Sequence, residues 1–292
     1  MRQLRAWLDR EAIAAGILLT PAALLLTLFL GFPLIYLLGL SFTSGSFTRA
    51  GLHWVGLRNY WRLLTDPDFR QVLGNTLYFT VATVIPSLLL PLGLAVLLNR
   101  AFFGRTLLRT AYFLPSITSL VAAGLSFRWL FQTQGPLNAA LQGLGLPAVP
   151  WLGSTVWAMP VLILLSSWQQ LGFNFIVFLA GLQGIPQTRY EAAALDGAGA
   201  WAQFWHITLP GLRPTLVFAT IATAIFTLRS FEPVYVVTGG GPRNATNILV
   251  YYIYEQAFAL LDVGYAAAAA TVLLAIASLF VYWQLRAWGE SQ

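Results

Sequence analysis

The sequence predicts an all-α membrane protein that crosses the bilayer six times. Two observations predict it. Of 292 residues, 58% are hydrophobic and 9% charged, against the roughly 25% charged residues with which a soluble domain covers its surface. Six stretches also reach the roughly 20 mostly apolar residues that a spanning helix needs, and lipid offers the backbone no partner outside a helix or closed barrel. The composition excludes several functions. There is no Cys, which removes disulfides, thiol catalysis and Cys metal sites. His53 and His206 are the only histidines, too few for a His-based metal cluster. All sixteen basic residues are Arg, so no Gly-x-x-x-x-Gly-Lys-Ser/Thr phosphate loop exists. The Arg residues flank spans instead of forming one basic face, which argues against nucleic acid.

The spans are expected near 16–41, 75–98, 107–131, 156–182, 213–237 and 264–285. The first has no charge between Glu11 and Arg49. It is too long for a signal-peptide core and lacks a small-residue cleavage site, so it is retained as a span. Arg229 and Glu232 interrupt the fifth. Pro33, Pro86, Pro91, Pro115 and Pro160 lie inside spans, where neighbouring helices and side chains can satisfy the freed carbonyls.

Six spans put both termini on one side, and the Arg bias selects which. With the termini inside, Arg2, Arg5, Arg10, Arg100, Arg105, Arg109, Arg189, Arg213 and Arg286 are cytoplasmic. Arg49, Arg58, Arg62, Arg70 and Arg243 are then outside. Nine against five favours termini inside. The uncharged stretch from Gln132 to Thr155 fits an outer loop. Residues 1–15 read as a juxtamembrane anchor, with Leu4, Trp7 and Leu8 on the membrane surface and Arg2, Arg5 and Arg10 meeting anionic headgroups. Residues 16–74 then form the first span and outer loop, 75–285 the transmembrane core and 286–292 a cytoplasmic tail.

Between spans 4 and 5 lies a helix-forming segment that does not span, 188–210. Charged Glu191 and Asp196 sit beside the aromatics Trp201, Phe204 and Trp205, as on a docking surface. Pro186 ends span 4. Thr188-Arg-Tyr-Glu191 fits a capping box, with Thr188 as N-cap. Gly197 is placed to turn the chain with positive φ. A second short helix follows from Ala198, and Pro210 and Pro214 lead into span 5. Read blandly, Glu191 is only a cap and Gly197 only a turn.

The pattern of the segment carries a resemblance. Glu191-Ala192-Ala193, Asp196-Gly197 and Ile207-x-Leu209-Pro210 resemble the EAA loop of permease subunits in binding-protein-dependent ABC importers. Further landmarks resemble the first permease subunit of the maltose or glycerol-3-phosphate type of carbohydrate uptake family. They are Trp54-Val-Gly-Leu-Arg-Asn-Tyr60, Asp66-Pro-Asp-Phe69, Asn75-Thr-Leu-Tyr-Phe-Thr80, Arg109-Thr-Ala-Tyr-Phe-Leu-Pro115, Gly135-Pro-Leu-Asn138 and Thr238-Gly-Gly-Gly-Pro242. Arg229-Ser-Phe-Glu232 departs from the pattern, since relatives often carry Asp after Phe and no Arg. The resemblance implies a type I importer transmembrane domain with a cytoplasmic coupling helix at 188–210. In that role Glu191, Ala192, Ala193, Asp196, Gly197, Trp201, Phe204, Ile207, Leu209 and Pro210 transmit closure of an ATPase dimer to the spans. It also implies a homologous second permease as heterodimer partner, an extracytoplasmic solute-binding protein, a sugar substrate and a prokaryotic inner membrane. No cofactor is expected in this chain, ATP and Mg being held by the ATPase.

Polar groups at bilayer depth are costly and usually face a bundle interior or cavity. Ser166, Gln169, Gln170 and Phe173 recur at i, i+3, i+4, i+7 in span 4. Thr223, Phe226, Thr227 and Ser230 repeat that spacing in span 5. These stripes, with Glu232, are expected to line the substrate path, because hydroxyls and amides suit sugar hydroxyls and an aromatic face can stack on a pyranose. The alternative is interhelical hydrogen bonding. Arg229 and Glu232, i and i+3 on a helix, read as a neutralising pair; otherwise Arg229 meets an acidic group of the substrate or of the partner permease.

Two other function classes compete. An ion-coupled secondary transporter often shows repeats and intramembrane acids, and here only Glu232 is such an acid. An intramembrane enzyme needs a nucleophile with a base, or metal ligands, at membrane depth, and both His lie outside the spans. A di- or oligosaccharide is the expected cargo, with polyols and glycerol phosphates as alternatives.

Overall fold

The computed structural model describes residues 2–46, 51–99 and 104–289, with side chains for 14–45, 51–99 and 104–287. The amphipathic reading of residues 1–15 and the positions of Arg49 and Arg100 therefore fall largely outside the described residues. The chain divides into two compact units, Met1–Thr65 with Glu255–Val272, and Asp66–Tyr254 with Leu273–Gln292.

The first unit opens with α1 (Arg2–Leu26), a π-helical turn (Thr27–Gly31) and α2 (Phe32–Leu40). Within this run, Ala14–Leu40 is long and apolar enough to span, and its most hydrophobic window has no buried residue. A helix that is apolar all round is suited to lipid or to a membrane core. A hairpin follows, β1 (Thr43–Ser46) antiparallel to β2 (Gly51–Trp54), in the register Thr43↔Trp54 and Ser46↔Gly51. Then comes α3 (Arg58–Thr65). The landmark Trp54–Tyr60 has a packing reason. Buried Asn59 donates to the carbonyls of Ser41 (2.9 Å) and Thr43 (2.7 Å), and the Tyr60 and Ser41 hydroxyls meet at 2.7 Å. Arg62 pairs with Asp262 at 2.6 Å and lies over the Tyr265 ring. A Cβ on Gly264 would collide with the Thr43 carbonyl, so only glycine permits that approach.

The second unit carries the remaining helices. These are α4 (Pro67–Leu98), α5 (Arg105–Ile117), α6 (Leu120–Phe131), α7 (Pro136–Gly143), α8 (Ala158–Gln183), α9 (Gln187–Leu195), α10 (Ala200–Gln203), α11 (Leu209–Gly211), α12 (Arg213–Leu228) and α13 (Leu249–Tyr254). Most of α14 (Val263–Gly289) also lies here. Four stretches are unbroken candidate spans, and two bent helix pairs bring the total to six if each pair counts once. In α4, Asp66 caps by accepting from the Asp68 amide and Pro67 occupies the first turn, a position that needs no N–H.

Two expected spans are corrected. The stretch 107–131 is not one helix. The α5 helix and the Leu120–Gly143 stretch meet at 95°, because Pro115 sits in the last turn of α5 and Thr118 and Ser119 are extended. The fifth span does not run to 237 as one helix. It stops at Leu228, Arg229 leaves helical geometry, and helix resumes only at Glu232, running into a π-helical turn, Val234–Thr238.

Two apolar clusters hold this unit together. In one, Leu92, Ala95 and Leu98 of α4 pack with Phe175, Phe178, Leu179 and Leu182 of α8 and with Leu212 and Ala219. In the other, Phe79, Ala123, Met159, Leu162, Leu165, Val234, Val237 and Ile248 converge. Within a bilayer the alternative to this packing is lipid, as apolar as Leu, so close van der Waals contact and interhelical hydrogen bonds hold these helices together. Two further landmarks explain each other. Asn75 donates to the carbonyls of Asn244 (2.7 Å) and Asn247 (3.0 Å), and the Thr76 hydroxyl receives the Leu249 amide. The polar start of α4 thus pins the loop that follows Thr238–Pro242. Buried Asn138 likewise ties Thr133, Val149 and Trp151 together.

Candidate functional site

The segment after α8 forms two short helices joined at Gly197. The predicted capping box is absent. Helix α9 starts at Gln187 with Pro186 as N-cap and no side-chain cap bond, which moves Thr188 to the second helical position, where its hydroxyl cannot cap. The predicted turn is present. Gly197 has φ +80, and the amides of Gly197 and Ala198 donate back to the carbonyls of Ala194 (3.1 Å) and Ala193 (2.8 Å). That pairing is a Schellman ending, which favours glycine at the left-handed position.

The segment has an inner and an outer face. Tyr190 and Ile207 pack against the α4–α8–α12 cluster, and the Tyr190 hydroxyl meets that of buried Thr208 at 3.0 Å. Ile207 is thus turned partly inward and Leu209 is half-buried. On the outer face Glu191, Ala192 and Asp196 are exposed, as are Leu195 (90%), Trp201 (73%) and Trp205 (48%). Trp201 stacks on Phe204 at 5.9 Å and meets Trp205 edge-on at 5.8 Å. A groove of about 470 Å³ runs beside them, lined by Arg189, Ala192, Ala193, Asp196, His206, Ile207, Pro210 and Gly211. Exposed apolar anchors on short helices suit recognition in which a helix enters a groove on a partner.

The second site is a cavity of about 570 Å³ walled by α5, α8 and the end of α12. Seven of the expected path residues line it: Ser166, Gln169, Gln170, Phe173, Phe226, Ser230 and Glu232. Phe173 and Phe226 meet edge-to-face at 5.7 Å. Thr223 and Thr227 do not line it, which corrects the expectation for both. Thr223 is buried, 3.0 Å from Asn174 Nδ2 and donating to Asn174 Oδ1 at 3.1 Å, while Asn174 also donates to the Ser87 carbonyl at 2.7 Å. Thr227 accepts from Gln170 at 3.2 Å and donates to the Thr223 carbonyl. The two threonines of the span 5 stripe are therefore engaged in interhelical hydrogen bonding, and Thr227 orients a cavity residue without lining the wall itself.

The cavity also holds three residues the sequence did not single out for it, Phe113, Ser116 and Leu120, which arrive around the break between α5 and α6. It holds Arg229 as well, which the sequence offered as an alternative contact for the substrate. The Ser116 hydroxyl donates to the Gln169 carbonyl (2.9 Å) and accepts from the Phe173 amide (3.1 Å). Gly172 permits this, since a Cβ there would stand 2.5 Å from Ser116 Oγ and 2.8 Å from the Tyr112 carbonyl. Pro115 followed by Ser116, Thr118 and Ser119 was the available signal for the break. Arg229 and Glu232 do not pair. With α12 ended at Leu228 they share no helix face, and no ion pair forms between them. Two buried polar atoms in the wall, Ser166 Oγ and Gln170 Oε1, have no hydrogen-bond partner. Near the π-helical turn, Phe231, Tyr235, Tyr251 and Tyr254 pack as an aromatic cluster. The Tyr254 phenol is pushed above its ordinary value, first by charge interaction with Tyr235 and then by their hydrogen bond, so it stays neutral at physiological pH.

An exposed aromatic segment and a walled cavity thus belong to one helical unit. The model of the family described as binding-protein-dependent transport system inner membrane component matches residues 87–288. The chain belongs to this family. As a family member it is a multi-pass membrane transport protein that works with a solute-binding protein. It is 39% identical over 274 residues to the sulfoquinovosyl glycerol transport system permease protein SmoG of Agrobacterium fabrum, covering 92% of this chain and 89% of that protein. It is 36% identical to the lactose transport system permease protein LacF of Rhizobium radiobacter, covering 91% of both. It is 39% identical over 226 residues to the arabinooligosaccharides transport system permease protein AraP of Bacillus subtilis, covering 76% of this chain and 72% of that protein. Among solved structures, a chain of a bacterial ABC transporter that imports the acidic polysaccharide alginate superposes with TM-score 0.82 at 25% identity, covering 97% of both chains. The same transporter bound to its alginate pentasaccharide-loaded periplasmic protein matches equally, with TM-score 0.82. These matches place this inner membrane component in the type I ABC importer fold.

Proposed function

We propose that this chain forms half of the translocation path of an ATP-driven importer of a di- or oligosaccharide, working by alternating access. The observation that carries the reading is α8. One uninterrupted helix of 26 residues supplies the cavity wall at Ser166–Phe173 and ends at Gln183, with three residues between it and the start of the docking segment at Gln187. Gln170 stands thirteen residues before Gln183, about 20 Å along the axis at 1.5 Å per residue. A push on the outer face of 187–211 passes through Tyr190 and Ile207 into the α4–α8–α12 cluster and so to the cavity.

The partners are a homologous second permease that completes the path, a cytoplasmic ATPase dimer that holds ATP and Mg, and a solute-binding protein outside. The chain itself carries no catalysis and no cofactor, and both termini face the cytoplasm of a prokaryotic inner membrane. The saccharide cargo is supported by the names of the relatives and by a wall that joins amides, hydroxyls and two aromatic rings. Loaded binding protein docks outside, closure of the ATPases moves the 187–211 segment, the bundle opens the cavity outward, and hydrolysis returns it inward. Uptake into proteoliposomes holding the whole complex tests this. It is expected to require ATP on the coupling-segment side, to survive collapse of the ion gradients by ionophores and to fall with Gln170→Leu. Uptake that dies with the gradient while ATP remains would establish a secondary transporter instead.

A further inference from the structure

Arg229 puts a full positive charge on the wall of a cavity that holds one carboxylate, and that carboxylate does not pair with it. The separation is built into the backbone. Arg229 ends α12 with φ −90 and ψ 2, its amide still bonded to the Ile225 carbonyl. Ser230 and Phe231 lie outside helix, and Glu232 begins the next helical turn. Had the helix continued, Arg229 and Glu232 would have faced each other one turn apart. Instead the cavity presents a free guanidinium, and deeper in the wall an orphaned hydroxyl at Ser166 and an orphaned amide oxygen at Gln170. Ser166 is only 4% exposed, so its unpaired oxygen calls for a partner that enters the cavity.

We propose that the cargo is an acidic saccharide, its carboxylate, sulfonate or phosphate held by Arg229 and its hydroxyls by Ser166, Gln170 and Glu232. This deepens the importer reading above and rests on it. A guanidinium is planar, always charged and matched to an anionic group by two parallel N–H donors, which a neutral sugar does not use. Glu232, kept off Arg229, is left to accept from sugar hydroxyls, a task its ionised form performs with strong hydrogen bonds. A neutral saccharide satisfies the amide and hydroxyl groups equally well but leaves Arg229 without a role in the cavity. An amino sugar would engage Glu232 and be repelled by Arg229.

The test uses the complete complex with its own binding protein in proteoliposomes, with ATP hydrolysis as the readout. The probes are three acidic disaccharide classes, uronate, sulfonate and phosphate, each beside its neutral counterpart, and one amino sugar. The expected result is stimulation by an acidic probe and not by its counterpart. Arg229→Gln should lower the response to that probe about 10- to 100-fold, the range of one charge-assisted hydrogen-bonded pair. Arg229→Lys should recover part of it, which excludes a folding defect as the cause. The proposal is overturned if only neutral or amino sugars stimulate, or if Arg229→Gln responds to the acidic probe as the wild type does. A complex that no saccharide stimulates overturns the saccharide-importer reading itself.

Discussion

Replacing Gly197 isolates the turn of the docking segment from everything else in the protein. Its φ of +80 lies in the left-handed region, and a Cβ added there meets nothing within 4 Å. The cost of Gly197→Ala is therefore backbone strain alone, about 1–2 kcal/mol. Gly197→Val adds β-branching in a conformation such residues avoid, and Gly197→Asn is tolerated best because Asn visits this region. At 1.4 kcal/mol per tenfold, the native turn loses about 5- to 30-fold in population in the Ala variant. The assay is ATP-dependent uptake in proteoliposomes, scored beside the amount of protein inserted. Uptake should fall in the order Asn, Ala, Val while insertion stays constant, since no span is touched. Wild-type uptake by Gly197→Val, or an Asn variant as poor as Val, refutes the assignment of this turn to coupling.

Two further substitutions test the frame behind the cavity. Asn174→Leu leaves the Ser87 carbonyl and the Thr223 hydroxyl without their buried partner and should cost about 1–3 kcal/mol. A lowered melting temperature in detergent, partly restored when Thr223→Val is added, checks it; an unchanged melt contradicts the buried bridge. Gly172→Val drives a side chain into the Tyr112 carbonyl and Phe113 Cα, 2.8 and 2.9 Å from the new Cβ, and overpacking of this kind costs about 1–3 kcal/mol. It should lower both thermal stability and uptake, whereas Gly74→Ala, with open space at its Cβ, should change neither adversely.

Much of the architecture was legible because lipid imposes a simple rule. Apolar runs of spanning length located α1–α2, α4, α8 and α14 and came close to the ends of α8 and α14, but the polar starts of α1 at Arg2 and of α4 at Pro67 lie before the expected 16 and 75. The breaks were not legible, because they depend on what packs nearby. Pro86 and Pro91 sit inside a continuous α4, while Pro115, followed by extended Thr118 and Ser119, accompanies a 95° bend. The presence of a proline alone does not distinguish the two. The i, i+3, i+4, i+7 spacing correctly grouped Ser166, Gln169, Gln170 and Phe173 on one wall, since α8 is regular there. It failed for Thr223 because Asn174, one turn beyond Gln170 on α8, is buried against α12 and claims the hydroxyl. The expected Arg229–Glu232 pair failed for a related reason. Helical spacing was assumed across a point where the helix ends. In the docking segment the turn at Gly197 was readable from one residue, but the Thr188 cap that the sequence suggests is absent, because the helix starts earlier, after Pro186.

The central claim is that 187–211 docks on a separate ATPase, and the chain allows a direct measurement because it contains no Cys. Leu195→Cys introduces one thiol at a position 90% exposed on the outer face. Treated with a short thiol-to-amine crosslinker in the assembled complex, it is predicted to join the ATPase subunit, with a yield that changes between nucleotide-free and ATP-bound states. Crosslinking that reaches only the solute-binding protein or other copies of this chain, or no subunit at all while Leu97→Cys on a lipid-exposed helix face behaves identically, contradicts it.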